Sequence, residues 1–209
     1  MVTASQLLGF LFAAVLLTAT PGPDNLMVLS VGMSRGRRAG IAFGLGCALG
    51  CLSHTLLAVL GVSALVAASP TAFALLKAVG GAYLVWLGIQ ALRHAGAVQL
   101  NADGKAGGES LKRLFAKGLL ANAVNPKVVL FFLSFLPQFV VASQGHVEWQ
   151  LGLLGLAFTA QASLLFGLLG FFSGSVGAWL NRRPKAGLWL DRLAGIVFIG
   201  LGIRIFVSR

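Results

Sequence analysis

Pro21-Gly22-Pro23-Asp24-Asn25 interrupts one long apolar stretch of this chain, and Asn122-Ala123-Val124-Asn125-Pro126-Lys127 interrupts another. Proline removes a backbone donor and clashes with the preceding turn, so each insert breaks a helix and leaves carbonyl and amide groups unpaired. In lipid such groups are tolerated only where protein covers them or where they line a watery cavity. A matched pair of broken helices is the best sequence pointer to the binding site of a secondary transporter. The first insert brings the one acid placed to lie deep in a membrane, and the second brings a lysine.

The flanking sequence supports a membrane setting. Hydrophobic residues make up 57% and charged residues 10%, against roughly 45–50% and 25% in soluble domains. Apolar runs cover about 7–31, 40–67, 71–92, 118–141, 149–180 and 188–207. At ~20 residues per span they use most of the chain and leave no room for a separate soluble domain. The predicted fold is an all-α integral membrane protein, a single transporter domain of six transmembrane helices with helices 1 and 4 broken. The first run has no Lys or Arg before it and carries a polar break, so it reads as a mature helix and not a signal peptide. The net charge of +11 sits in short loops beside apolar spans, as the positive-inside rule places it. No basic groove with interleaved aromatics accompanies it, which excludes a nucleic-acid partner.

Loops after the first, third and fifth runs are basic, holding Arg35, Arg37 and Arg38, then Arg93, Lys105, Lys112, Arg113 and Lys117, then Arg182, Arg183 and Lys185. Those loops are expected in the cytoplasm and both termini outside; Arg204 and Arg209 in the tail are the exceptions. The third loop is Gly-rich and polar, a linker at about 94–113 between halves at about 5–93 and 114–207. The halves resemble each other. LLKAVGGAYLVWLGI (75–89) aligns with WLDRLAGIVFIGLGI (189–203), placing Gly81 on Gly195, Gly88 on Gly202 and Lys77 on Asp191. Three spans per half is odd, so the second half is expected to be inverted in the membrane.

Depth follows from the helical rise. Asp24 lies eleven residues from Arg35, ~16 Å deep, and Lys127 lies ten from Lys117, ~15 Å deep. In a core ~30 Å thick both reach the midplane. Asp24 is the leading functional residue, since a buried carboxylate in a bilayer is costly and is kept for ion pairing or proton transfer. The plainer reading is a structural Asp24–Lys127 pair or a helix cap. Asn25, Asn122 and Asn125 offer amide groups near the breaks, Gly22 permits close backbone approach, and Pro21, Pro23 and Pro126 make the breaks. Freed amides suit an anion and freed carbonyls a cation, so the site fits a zwitterion. Lys77 reads either as a snorkelling side chain or as part of an outer gate. His54 reads either as a packed histidine or as a proton relay; Tyr83, Trp86 and Gln161 are further candidates to line the cavity. Cys47 and Cys51 share one helix face and form no disulfide framework. The motifs Gly40-x-x-x-Gly44 and Gly46-x-x-x-Gly50 mark either close internal packing or a homodimer face. No phosphate loop, nucleophile elbow or metalloprotease pattern is present, so neither an enzyme nor a cofactor is expected.

Three ordered motifs, at 20–50, 76–93 and 115–139, resemble the LysE/RhtB family of bacterial amino-acid exporters over nearly the whole chain. The resemblance implies a six-segment inner-membrane protein that exports amino acids, driven by the proton gradient. It places the family's signature polar positions on Pro21, Gly22, Pro23, Asp24, Asn25, Asn125, Pro126 and Lys127. The expected partners are a small amino acid, protons and the lipid bilayer. The expected mechanism is proton antiport by alternating access: Asp24 is protonated from outside to release substrate and deprotonated inside to bind again. With no second midplane carboxylate, neutral amino acids are favoured. The alternative is a membrane thiol-redox or metal-ion transport protein using Cys47 and Cys51.

Overall fold

In a computed structural model, residues 2–93 and 109–207 are described; residues 94–108 of the expected linker lie outside them. Every regular element among the described residues is a helix. Helix α1 (Ala4–Ala19) starts at Thr3, whose hydroxyl accepts from the Gln6 amide while the Gln6 side chain accepts from the Thr3 amide, a reciprocal capping box. It cannot run through Pro21. Helix α2 (Pro23–Arg35) restarts with proline at its first position, where a missing N–H costs nothing. The two are bent by 55°. Helix α3 (Arg37–Leu57) passes through a π-helical turn (Ala58–Val62) into α4 (Ser63–Ala68), and α5 (Pro70–Arg93) returns.

The second half repeats the device. Helix α6 (Leu111–Ala123) is capped by Ser110 and stops before Pro126. Helix α7 (Pro126–Leu130) continues through π and 3-10 turns to Phe139, bent by 51° from α6. Then come α8 (Val147–Phe171), α9 (Ser173–Arg182) and α10 (Pro184–Val207). Four helices are long and apolar enough to cross a bilayer, 37–65, 71–93, 147–171 and 185–204, and the two bent pairs make six. The chain is a six-helix membrane protein. Large apolar side chains on the outside, among them Leu8, Phe12, Leu56, Leu164 and Ile196, suit lipid.

Two boundaries differ from the sequence reading. The fifth run does not extend to 180: α8 ends at Phe171, and the more polar Ser173–Arg182 forms its own helix against α2. The fourth span starts at Leu111, seven residues before the apolar run, because its first turns carry Lys112, Arg113 and Lys117 on an amphipathic helix.

Helix α3 is the centre of the packing, lying between α6 and α8. A β-carbon at Gly50 would stand 2.8 Å from Asn122 Cβ and from Leu119 O, and Gly40 and Gly44 meet Gly170 and Phe166 of α8. The glycine motifs of α3 are therefore spent on contacts within the chain. Helices α5 and α10 cross as closely: β-carbons at Gly88 and Gly195 would each lie within 2.7 Å of the other's carbonyl (2.6 and 2.7 Å), and one at Gly202 would lie 2.7 Å from Gly81 O. The core where α1, α8 and the turns after α7 meet is aromatic, built on Phe10, Phe131, Phe132, Phe135 and Phe158.

Candidate functional site

The end of α1 leaves carbonyls with no helical partner, and side chains from both breaks take them. Lys127 Nζ donates to Leu17 O at 3.1 Å and to Thr20 O at 3.2 Å, while Asn25 Nδ2 donates to Thr18 O at 2.8 Å. A cation at a helix C-terminus sits where the partial negative charge collects. A β-carbon at Gly22 would come within 3.2 Å of that ammonium; glycine keeps the approach open. The ring of Phe198 on α10 covers the ammonium at 5.4 Å.

At the second break Asn122 is the hub. Its Nδ2 donates to Asp24 Oδ2 at 2.7 Å, its Oδ1 accepts from Cys51 Sγ at 3.5 Å, and its carbonyl, which accepts from the Asn125 amide at 2.8 Å, also lies 3.0 Å from His54 Nε2. A carbonyl only accepts, so Nε2 carries the hydrogen. His54 Nδ1 is buried without a partner, and the ring packs on Phe132 at 5.6 Å. Asn125 caps α7, its side-chain oxygen accepting from the Lys127 amide at 3.1 Å. Asp24, Asn122, His54 and Asn125 are all buried.

Asp24 and Lys127 thus face one cavity without forming an ion pair: the ammonium bonds carbonyls and the carboxylate bonds an amide. The cavity, lined also by Leu17, Phe158 and Phe166, measures about 20 Å³, room for little more than one water.

Gly22, Pro23, Asp24, Asn25, Asn122, Asn125 and Lys127 line this one cavity and His54 reaches it through Asn122, whereas Pro126 only starts α7 and Pro21 lines a separate cleft with Leu190 and Leu193 of α10. Lys77 does not join them; its ammonium lies over the Phe73 ring at 5.1 Å. Tyr83 and Trp86 stack on each other at 5.5 Å instead of lining the cavity. Gln161 sits one step back, donating to Thr18 Oγ1 at 2.9 Å. Cys51 lines the cavity and Cys47 lies a turn behind it, both buried and unbridged. No three His, Cys, Asp or Glu side chains converge among the described residues. Sequence reasoning missed Thr18, which looks like any helical threonine until the break places its carbonyl beside Asn25. It also took Asp24 as the only deep acid, whereas Asp191, inside the last apolar run, is buried on α10 too.

Residues 15–209 match the family model described as LysE type translocator. The chain belongs to that family. An uncharacterized membrane protein of Vibrio cholerae is 33% identical over 204 residues, 97% of each chain. A homoserine/homoserine lactone efflux protein of Salmonella typhimurium is 30% identical over 200 residues, covering 96% of this chain and 95% of its own. A leucine efflux protein of an Enterobacter is 26% identical over 196 residues, covering 94% and 92%. No solved structure matches this member of the LysE-type family.

Proposed function

We propose that this translocator exports small zwitterionic amino acids across the bacterial inner membrane in exchange for protons. The observation that carries the reading is that a carboxylate from one break and an ammonium from the other line one buried cavity unpaired with each other. A substrate ammonium would take Asp24, and a substrate carboxylate would take Lys127 and the amides at the start of α7. Asp24 protonated from the outside gives up the substrate; losing that proton to the cytoplasm, it binds again. Beyond Asp24 and Lys127 the cavity wall is neutral, with Leu17, Val128, Phe158 and Phe166 beside Thr18, Cys51 and the asparagines and no second carboxylate, which favours neutral side chains. The names of the Salmonella and Enterobacter relatives support the substrate class.

Alternating access would come from two inverted three-helix halves rocking around the breaks. The α5–α10 crossing supports that reading. Aligning Gly81 with Gly195 and Gly88 with Gly202 turns the contact Gly88–Gly195 into Gly202–Gly81, and both contacts occur. Basic side chains at the ends of α2 and α6 support a cytoplasmic placement of that face, with the termini outside.

The test is counterflow in proteoliposomes with leucine, homoserine and lysine, with and without an imposed pH gradient. Gradient-driven transport of the neutral acids, lost in Asp24→Asn, is the expected result. Proton-driven export retained in Asp24→Asn would overturn the mechanism, and silence across the panel would overturn the substrate class. A Cys47→Ser, Cys51→Ser double variant is expected to transport normally; loss of transport would revive thiol or metal chemistry.

A further inference from the structure

A second cavity, of about 320 Å³, opens at the far end of the molecule from Arg35 and Glu109. It lies between the start of α1, the end of the fourth span and the last turns of α10, and the function above makes no use of it. Its volume falls in the range that holds small ligands, roughly 300–1,000 Å³. Its polar lining is Ser5, Gln6, Gln138 and Arg204. Arg204 breaks the charge pattern of the loops, standing at the face opposite the other basic clusters. It makes no hydrogen bond or ion pair among the described residues. Gln6 Nε2 is fixed on Phe139 O at 2.9 Å, and Gln138 Nε2 on Ser134 O at 2.9 Å. Both amides are therefore held at the cavity wall.

A chain of aromatic rings joins this cavity to the central one. Phe158 lines the central cavity; it meets Phe131 at 5.5 Å, Phe131 meets Phe135 at 4.9 Å, and Phe135 meets Phe139 at 5.1 Å. Phe135 and Phe139 line the outer cavity. A zwitterion leaving the centre therefore crosses an apolar plug and emerges beside a guanidinium. Arginine offers a planar fork that matches a carboxylate with two parallel hydrogen bonds.

We propose that the outer cavity is a release subsite that holds the carboxylate of the outgoing amino acid, with Arg204 as its anchor. The proposal rests on the export reading and on the orientation given with it. It explains why a cation is kept on the side of the membrane that the loop charges otherwise avoid.

The experiment places a reporter in the cavity as Ser5→Cys, in proteoliposomes, and follows labelling by a membrane-impermeant maleimide. The native thiols are 0% and 1% exposed, and a Cys47→Ser, Cys51→Ser background removes their contribution. External leucine, homoserine or lysine is expected to slow labelling at least threefold, and the matching carboxamides are not. Adding Arg204→Gln removes the protection; Arg204→Lys keeps part of it. Equal protection by acids and amides, no protection by any acid, or labelling from the cytoplasmic side alone overturns the subsite. The shared chemistry is an anionic oxygen group, so vesicles with and without phosphatidylglycerol separate its sources. Labelling that tracks lipid composition and ignores amino acids assigns the cavity to lipid phosphate and overturns the proposal. Protection without transport of any panel acid leaves the subsite standing and removes the export reading. Transport without protection does the reverse.

Discussion

At the first break, α1 ends with freed carbonyls: the nearby Asn25 takes one, and a charged side chain from the other half, Lys127, takes two. At the second, α6 ends at the Asn122 carbonyl, which accepts from the nearby Asn125 amide and from His54 Nε2, on a helix that already packs along α6. The first break is therefore completed only when the second half of the chain lies against it, whereas the second is completed by α3. In return, the second break lends the Asn122 amide to Asp24. Each break holds the other's charge-bearing residue or its termini, so displacing one must disturb the other. That is the coupling a substrate-driven transition needs: two arrangements of one packed element that ligand and proton bias differently.

Breaking this exchange at its charged member has the largest expected effect. Asp24→Asn keeps the size of the side chain and its bond with Asn122, so folding should hold while gradient-driven export falls at least ~100-fold, about 2.7 kcal/mol. Flux against pH gradient reads it. Lys127→Met comes next and acts on structure as well. It strands the Leu17 and Thr20 carbonyls in an apolar setting at about 1–3 kcal/mol for a group left unsatisfied. A lower thermal midpoint in detergent together with lost transport is expected, and Lys127→Arg should recover the midpoint before it recovers transport. His54→Phe fills the same space beside Phe132 but withdraws one hydrogen bond from Asn122. An average bond of this kind within membranes is worth about 0.6 kcal/mol. The midpoint should drop slightly, and the apparent affinity for substrate should weaken severalfold because Asn122 is less firmly aimed at Asp24. Unchanged affinity would show that the second break needs no outside support.

Much of this was legible because proline and membrane polarity are strong constraints. Pro21, Pro23 and Pro126 fixed where helices stop, and the unusual depth of Asp24 and Lys127 placed both at one level. What the sequence could not show is who bonds whom. An acid and a lysine at equal depth suggest a direct pair, yet freed carbonyls compete for the ammonium, and Asn122 for the carboxylate. His54 was ambiguous for the same reason: its partner is a backbone atom, the Asn122 carbonyl, which no side-chain pattern announces. Lys77 sits at a plausible depth but on a face of α5 that turns away from the breaks, and its position along the chain carries no trace of that. The split of the fifth run at Phe172 was hidden because Val176, Ala178, Trp179 and Leu180 scatter apolar residues through the more polar α9.

The smallest expected effect lies far from the cavity, where the end of α2 and the start of α6 are tied. Glu109, just before α6, accepts from Lys117 at 2.6 Å, from Arg35 at the end of α2 at 2.7 Å, and from Arg113 at 3.3 Å. Lys117 first and then Arg35 hold its carboxyl below the ordinary value of 4.5. A lowered carboxyl stabilises the folded form above the ordinary value, and that contribution fades as pH falls through the folded one. Glu109→Gln should therefore lower the thermal midpoint slightly at pH 7 and make no difference once the wild-type carboxyl is protonated. The gap should narrow with added salt, since partly exposed pairs are screened. A gap that persists in acid or in high salt would mean that Glu109 acts through packing and not through charge. A gap that closes as expected leaves α2 and α6 joined by charge at one end and by the exchange of Lys127 and Asn122 at the other.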